Sequence, residues 1–413
     1  MSSITQTIIK TKQASIALQA ATDKQIKKTL NDLSKALLQH SATILVANAK
    51  DVAKQDAANP RTDRLLLNTA RIKAISDSIK NVAKLPMPGG KILDKRVLKN
   101  GLRLQRIATP LGVVAAIYES RPNVTFDIAS LCLRSGNACL LKGSSEADNS
   151  NKAAIKIIKQ VLADNGLPVD AVNLLPSDRE TVNHLFTATK YIDVIIPRGS
   201  NGLIEYVRKN SLVPVIETGA GVCHVYVEKS ADLQMAAAIV VNAKTSRPSV
   251  CNAMDTIIVD KSIAKSFFKI LTPLLTEKEV TVYADNLAYL LLKDKLKVYK
   301  ATNKHFATEF LSLQCAIKTV SGIEEALQHI QTYSTKHSEA IVTSNKKLAQ
   351  QFLTTVDAAA VYHNASTRFT DGEEFGLGAE VGISTQKLHA RGPFALEKLV
   401  TEKWIIEGKG QVR

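Results

Sequence analysis

Cys251 stands in the run Asn242-Ala-Lys-Thr-Ser-Arg-Pro-Ser-Val-Cys-Asn-Ala, one of five cysteines scattered without paired spacing. A thiolate there could attack an activated acyl carbon and hold it as a thioester for hydride delivery. The thiolate is the reactive form, and cationic neighbours lower a thiol's pKa. Lys244 and Arg247 are expected to supply that charge, with a helix start close by. Spacing alone favours inert burial, the commoner state of a single cysteine. Cys132 and Cys139 lie in apolar runs and read as core. Cys223 stays open as a second candidate nucleophile.

Four further segments could serve such a thiol. Tyr118-Glu-Ser-Arg-Pro-Asn-Val follows an apolar run. Asn123 could donate its amide to a developing oxyanion and Arg121 could hold an anion, or Pro122 simply fixes a turn. Asp193-Val-Ile-Ile-Pro-Arg-Gly-Ser-Asn-Gly202 runs from a strand pattern into a helix pattern. Gly199 and Ser200 fit a phosphate against a helix start, or a plain strand-to-helix turn. In Lys142-Gly-Ser-Ser-Glu146, Lys142, Ser144 and Ser145 stand where an acid usually meets the ribose of the unphosphorylated dinucleotide. They suit the 2′-phosphate of NADPH instead, or cap a helix. In Ile216-Glu-Thr-Gly-Ala-Gly-Val-Cys-His224, Glu217 reads as an acid/base group or as a structural carboxylate, and His224 could be a satisfied core histidine. No GxGxxG occurs, and Gly376-Leu-Gly-Ala-Glu-Val-Gly382 has the wrong spacing, which argues against an ordinary Rossmann dehydrogenase. Without CxxC or HExxH, no metal is expected.

These residues need a scaffold. The first hundred residues read as helical: Thr22 and Gln25 fit a capping box, followed by Ile26, Leu30, Leu33 and Leu37 at helical spacing. Asn100-Gly101 between short alternating runs marks a hairpin. From residue 112, GVVAAIY, ACLLK, AVNLL, YIDVII and VPVI alternate with helical stretches, and TIIVD, AIKTV and EAIVT continue the pattern. Continuous apolar runs separated by helices indicate buried parallel strands in an α/β fold. Gly136 and Gly166 fall where helix C-caps belong. The tail EKWIIEGKGQVR reads as one more strand, able to pair with another chain.

The 413 residues exceed one ordinary core, so two domains or more are expected. Neither an eighteen-residue apolar window nor a secretory leader is read, and the unpaired cysteines fit a reducing compartment; a cytoplasmic enzyme is expected. The net charge of +16 suits an anionic partner, or a lysine-rich solvated surface. Aromatics are 5% and not interleaved with basic residues, which argues against a nucleic-acid-binding scaffold.

Taken together, PLGVVAAIYESRPNVT, KGSSEA, IPRGS, VPVIETGAG, NAKTSRPSVCNA, KHSEAIVT, NASTRFTDGEEFGLGAEVGISTQKLHARGP and GQVR resemble the gamma-glutamyl phosphate reductase family of the aldehyde dehydrogenase superfamily. The resemblance implies an aldehyde dehydrogenase-like α/β fold with a cofactor domain and a catalytic domain, each with a mostly parallel sheet. It implies a cofactor domain over 1–225, with the hairpin 96–109 as an oligomerisation element. A catalytic domain would span 226–385 and a C-terminal return with an oligomerisation strand 386–413. It implies NADPH-dependent reduction of L-glutamate 5-phosphate to the semialdehyde and phosphate, in proline biosynthesis. Cys251 would be the nucleophile and Asn123 the oxyanion donor. Lys142 would contact the ribose, and Gly199 and Ser200 would lie near the pyrophosphate. Glu217 matches the water-activating glutamate of hydrolytic relatives, where hydrolysis would waste an acyl phosphate. A hydrolytic NAD(P)-dependent aldehyde dehydrogenase of a related semialdehyde is the alternative. Arg121, Arg198, Arg247 and Arg368 are candidates for the substrate's anionic groups. A dimer or tetramer and a transient complex with glutamate 5-kinase are also implied. Ser200, Val222 and Ser246 depart from the family's glycine, asparagine and glutamine.

Overall fold

The computed structural model describes residues 3–55 and 62–413. The chain forms two compact units. One comprises the described residues up to Thr218 with Gly376–Gly382 and Pro393–Arg413; the other is Gly219–Phe375 with Ile383–Gly392.

The first unit begins with helices α1 (Ser3–Leu18), α2 (Asp23–Gln39), α3 (Ser41–Val52), α4 (Thr62–Leu65) and α5 (Thr69–Lys84). Ile26, Leu30, Leu33 and Leu37 of α2 are all buried, as their 3.6-residue spacing requires. Only half of the expected capping box forms. Thr22 Oγ1 accepts the Gln25 N–H at 3.2 Å, but the Gln25 amide donates to the Asn165 carbonyl at 3.0 Å. That carbonyl belongs to the C-cap of the helix Asp148–Asp164, and the next residue, Gly166, turns the chain away with a φ of +66°.

Strands β1 (Ile92–Val97) and β2 (Arg103–Pro110) make the expected hairpin, antiparallel. The Gly101 N–H donates to the Leu98 carbonyl at 2.9 Å, and Gly101 takes φ +86°, a conformation that favours glycine. The unit's main sheet contains β3 (Val113–Tyr118), β4 (Ala138–Lys142), β5 (Val172–Leu174) and β6 (Val194–Arg198), in the order β5-β4-β3-β6 and parallel throughout. Every residue of β3 and β4 is buried, which explains their unbroken apolar runs. VPVI, expected as a strand, is reduced to a single bridge between Val215 and Ile195. Ile195 donates to the Pro214 carbonyl at 2.8 Å and accepts from the Ile216 N–H at 3.0 Å, but the next rungs on either side would need an N–H from Pro214 and from Pro197, which proline lacks, so no ladder extends.

Helices α6 (Asn123–Arg134), α7 (Asp148–Asp164), α8 (Glu180–Thr187) and α9 (Asn201–Asn210) belong to this unit. The start of α7 has no cap of its own. Asp51, fully buried at the end of α3, accepts the backbone N–H groups of Asn149 at 3.2 Å and Ser150 at 2.8 Å. Those amides carry the positive end of the helix, so the buried carboxylate is compensated.

The second unit holds β7 (Cys223–Val227), β8 (Met254–Asp260), β9 (Thr281–Ala284), β10 (Val298–Lys300), β11 (Gln314–Val320), β12 (Ser338–Val342) and β13 (Ala360–His363). They form one parallel sheet in the order β10-β9-β11-β8-β7-β12-β13, with α10 (Leu233–Thr245) on the path from β7 to β8. The returning chain forms β14 (Glu380–Ser384) and β15 (Gly392–Ala395), which pair with each other, and ends in β16 (Val400–Glu407). The last strand pairs antiparallel with β2 of its own chain, giving a three-stranded sheet β1-β2-β16. Among the described residues, no helix is long and apolar enough to cross a membrane.

Candidate active site

In the second unit, Cys251 lies on a turn that leads from α10 into β8. No helix starts there, contrary to the sequence expectation. None of the five cysteines forms a disulfide, and only Cys251 is partly exposed. Cys223 is fully buried; burial first, then the nearby Glu339 and Asp255 carboxylates, push its thiol well above the ordinary value. Its Sγ instead donates to the Cys251 carbonyl at 3.2 Å. Gly221 explains the close approach: a Cβ there would meet the Cys251 carbonyl oxygen at 1.6 Å.

The expected cationic neighbours are rearranged. Lys244 does not serve the thiol. It is buried in the core, 3.3 Å from Asp255 and 3.4 Å from the Ser312 carbonyl. A lysine in the last turn of a helix is near Cys251 in sequence, but the side chain follows the helix's buried face. The cation that reaches the turn is Arg368. Its Nε donates to Ser246 Oγ at 3.1 Å and its Nη1 to Asn252 Oδ1. Arg247 is exposed, and its charge falls on Arg368.

Behind the turn the core is unusually polar. His224 Nδ1 lies 2.9 Å from Glu339 Oε2, both fully buried, while His224 Nε2 has no partner. His224 is therefore a core histidine, half satisfied. Burial lowers His337 to about 4. Val222 is buried and its N–H donates to Thr335 Oγ1 at 2.9 Å.

In the first unit, the candidate residues collect where the parallel strands end, the usual ligand edge of an open α/β sheet. Arg121 and Asn123 follow β3; Asn123 opens α6 and donates to Asp127 Oδ2 at 2.9 Å. Lys142 ends β4, with its Nζ 2.9 Å from the Ser177 carbonyl; burial lowers its pKa, opposed by Asp178. Ser144 Oγ is sealed from solvent without a hydrogen-bond partner, and Ser145 is exposed beside it. Gly199 and Ser200 follow β6. Arg198 lies against Gly382, where a Cβ would meet Nη1 at 2.2 Å. Glu217 pairs with Arg208 of α9 at 3.6 Å, as a structural carboxylate would.

One residue was not singled out from sequence. Glu119 accepts the Ser200 N–H at 2.9 Å and the Ser200 hydroxyl at 2.8 Å. Its carboxylate thus occupies the helix start expected to meet phosphate. The signal was an acid at the end of an apolar run, but its partner lies on another strand.

Residues 4–285 match the model of the aldehyde dehydrogenase family. A gamma-glutamyl phosphate reductase from Chlorobium phaeobacteroides (strain BS1) is 53% identical over 407 residues, covering 98% of this chain and 97% of the relative. One from Bacteroides fragilis (strain YCH46) is 51% identical, covering 95% of each. The crystal structure of gamma-glutamyl phosphate reductase from Thermotoga maritima superposes with a TM-score of 0.96 at 41% identity, over the full length of both chains. The chain belongs to the aldehyde dehydrogenase family and, within it, to the gamma-glutamyl phosphate reductases.

Proposed function

We propose that the chain reduces L-glutamate 5-phosphate to L-glutamate 5-semialdehyde and inorganic phosphate, drawing the hydride from NADPH. The observation that carries the reading is Cys251. It is the one thiol not sealed in the core, on a turn held by Gly221, Cys223 and Arg368, in a chain that matches these reductases end to end. The Cys251 thiolate attacks the acyl carbon, the carbon–oxygen bond to phosphate breaks, and phosphate leaves with the electron pair. A thioacyl enzyme results. NADPH, when bound, supplies the hydride that reduces it. Asn123 is assigned to the oxyanion on the family's chemistry alone.

The first unit is the proposed cofactor domain and the second the catalytic domain. Lys142, Ser144 and Ser145 would hold the dinucleotide, with Gly199 and Ser200 beside it once the Glu119 carboxylate gives up the helix start. A buried Ser144 hydroxyl without a partner and a lysine at the same strand end fit a 2′-phosphate. The test is reverse turnover with the semialdehyde. NADP reduction should require inorganic phosphate and prefer NADP over NAD. Oxidation independent of phosphate would instead indicate the hydrolytic alternative.

A homo-oligomer is the second part of the proposal. The sheet β1-β2-β16 exposes apolar side chains: Val97 at 65%, Trp404 at 45% and Ile406 at 59%. Among the described residues, no strand pairs with the outer edge of β16. An exposed apolar strand with an open edge needs a cover. Sedimentation velocity should show a dimer or larger species, and Ile406→Glu should shift it toward monomer. A monomeric wild-type chain at about 10 µM would refute this.

A further inference from the structure

We propose that Arg368, with Arg247 beside it, seats the phosphate group of the acyl phosphate and, in reverse, inorganic phosphate; this rests on the reductase reading above. Four arginines were candidates for the substrate's anions, and four observations separate this pair from the others.

The first is attachment. Arg368 spans the turn that carries Cys251, with Nε on Ser246 and Nη1 on Asn252, so both ends of the turn are tied to one guanidinium. The second is rigidity. Asn252 Nδ2 donates back to the Arg368 carbonyl at 3.2 Å and to the Thr370 carbonyl at 2.8 Å, and Thr367 Oγ1 donates to the Asn252 carbonyl at 2.7 Å. The guanidinium is therefore held in place before any ligand arrives, the condition under which a charged donor is most effective.

The third is unfilled capacity. A guanidinium has five N–H donors in a planar fork. Among the described residues, none accepts from Arg368 Nη2, and no carboxylate forms an ion pair with Arg368. The fourth is charge. Arg247 directly follows Ser246, which accepts from Arg368 Nε; after burial, its charge is the largest influence disfavouring the protonated Arg368, and Asp371, Cys251 and Glu374 offset it. Two like charges beside a nucleophile repel unless an anion lies between them, and a phosphate dianion meets that need. Of the other two candidates, Arg198 is packed against Gly382, and both it and Arg121 belong to the first unit, whereas Arg368 and Arg247 share the unit that carries Cys251.

The chemistry follows from position. As sulfur bonds to the acyl carbon, the breaking carbon–oxygen bond places negative charge on the departing phosphate. A fixed guanidinium there stabilises that charge. In reverse it delivers phosphate to the thioester.

The test is reverse turnover with inorganic phosphate varied, on the full-length enzyme, for the wild type, R368Q, R368K and R247Q. The KM for phosphate should rise about tenfold or more in R368Q and about threefold or more in R247Q, while the KM for NADP stays within about twofold. R368K should recover little, because lysine cannot tie Ser246 and Asn252 and still present a fork. Iodoacetamide labelling of Cys251 gives a second readout: inorganic phosphate should slow labelling of the wild type and not of R368Q, each compared with its own rate without phosphate. The proposal is overturned if phosphate KM and protection are those of the wild type. It is also overturned if R368Q raises the KM for NADP as much as that for phosphate while R247Q leaves phosphate KM untouched, for Arg368 is then only a brace for the turn. A wild-type enzyme whose reverse turnover ignores phosphate would defeat the underlying reductase reading instead.

Discussion

Cys251→Ala is expected to abolish turnover in both directions, by about four to six orders of magnitude in kcat, as loss of a nucleophile does in other covalent enzymes. No other thiol can substitute. Cys132, Cys139 and Cys315 are buried, and burial pushes the Cys315 thiol up to about 12. Cys223 is closest to the turn, but its thiol is sealed and already donates to the Cys251 carbonyl. The fold should survive. What the turn takes from residue 251 is its backbone carbonyl, which alanine keeps, and the side chain is partly exposed. The check is forward and reverse kinetics beside thermal unfolding, with a Tm within about 2 °C of the wild type. Activity above about one per cent in the alanine enzyme would remove Cys251 from the mechanism.

The largest expected effect on stability is at Lys244. Its ammonium is 0% exposed, against an Asp255 carboxylate at 3%, 3.3 Å away. Burial raises Asp255 to about 6, and Lys244 is the largest influence opposing that rise. Asp255 also accepts the Phe310 N–H at 3.1 Å, so its position is fixed from a second side. Lys244→Met removes the compensating charge and leaves a buried carboxylate alone, at a cost of about 3–5 kcal/mol at pH 8. The sign of the pH dependence is determined. A carboxyl raised in the native state binds its proton more tightly there than in the unfolded chain. Its contribution is full below the unfolded value near 4 and is lost as pH rises through about 6. Without Lys244 the native carboxyl rises further, so the loss should be clearly smaller at pH 5 than at pH 8. Denaturant unfolding at the two pH values checks this. Lys244→Met with Asp255→Asn should recover part of the loss at pH 8. An equal loss at both pH values would show that the effect is packing, not charge.

Lys244 also shows how sequence proximity misleads. It stands seven positions before Cys251 and reads as an activating cation. In the fold its side chain enters the core and pairs with the start of β8. The cation that reaches the turn, Arg368, comes from 116 residues beyond Asn252. No local spacing rule connects them. The same holds for Glu119 and Ser200, 81 residues apart but just beyond the ends of the neighbouring strands β3 and β6.

By itself the sequence determined the family, the parallel α/β plan, the hairpin at Asn100-Gly101 and the cysteine most worth testing. These features are local or carried by long uninterrupted strings: wholly buried strands demand continuous apolar runs, and a tight turn demands a glycine. It over-read VPVI, because apolar composition does not report the donor that Pro214 lacks. The tertiary structure alone decided which polar side chains are spent on the core and which reach the turn. Lys244, His224 and Cys223 went inward, while Arg368 came to the nucleophile's turn. Those outcomes depend on which strands become neighbours and on the cost of burying a charge without a partner, and neither is written in the spacing of residues along the chain.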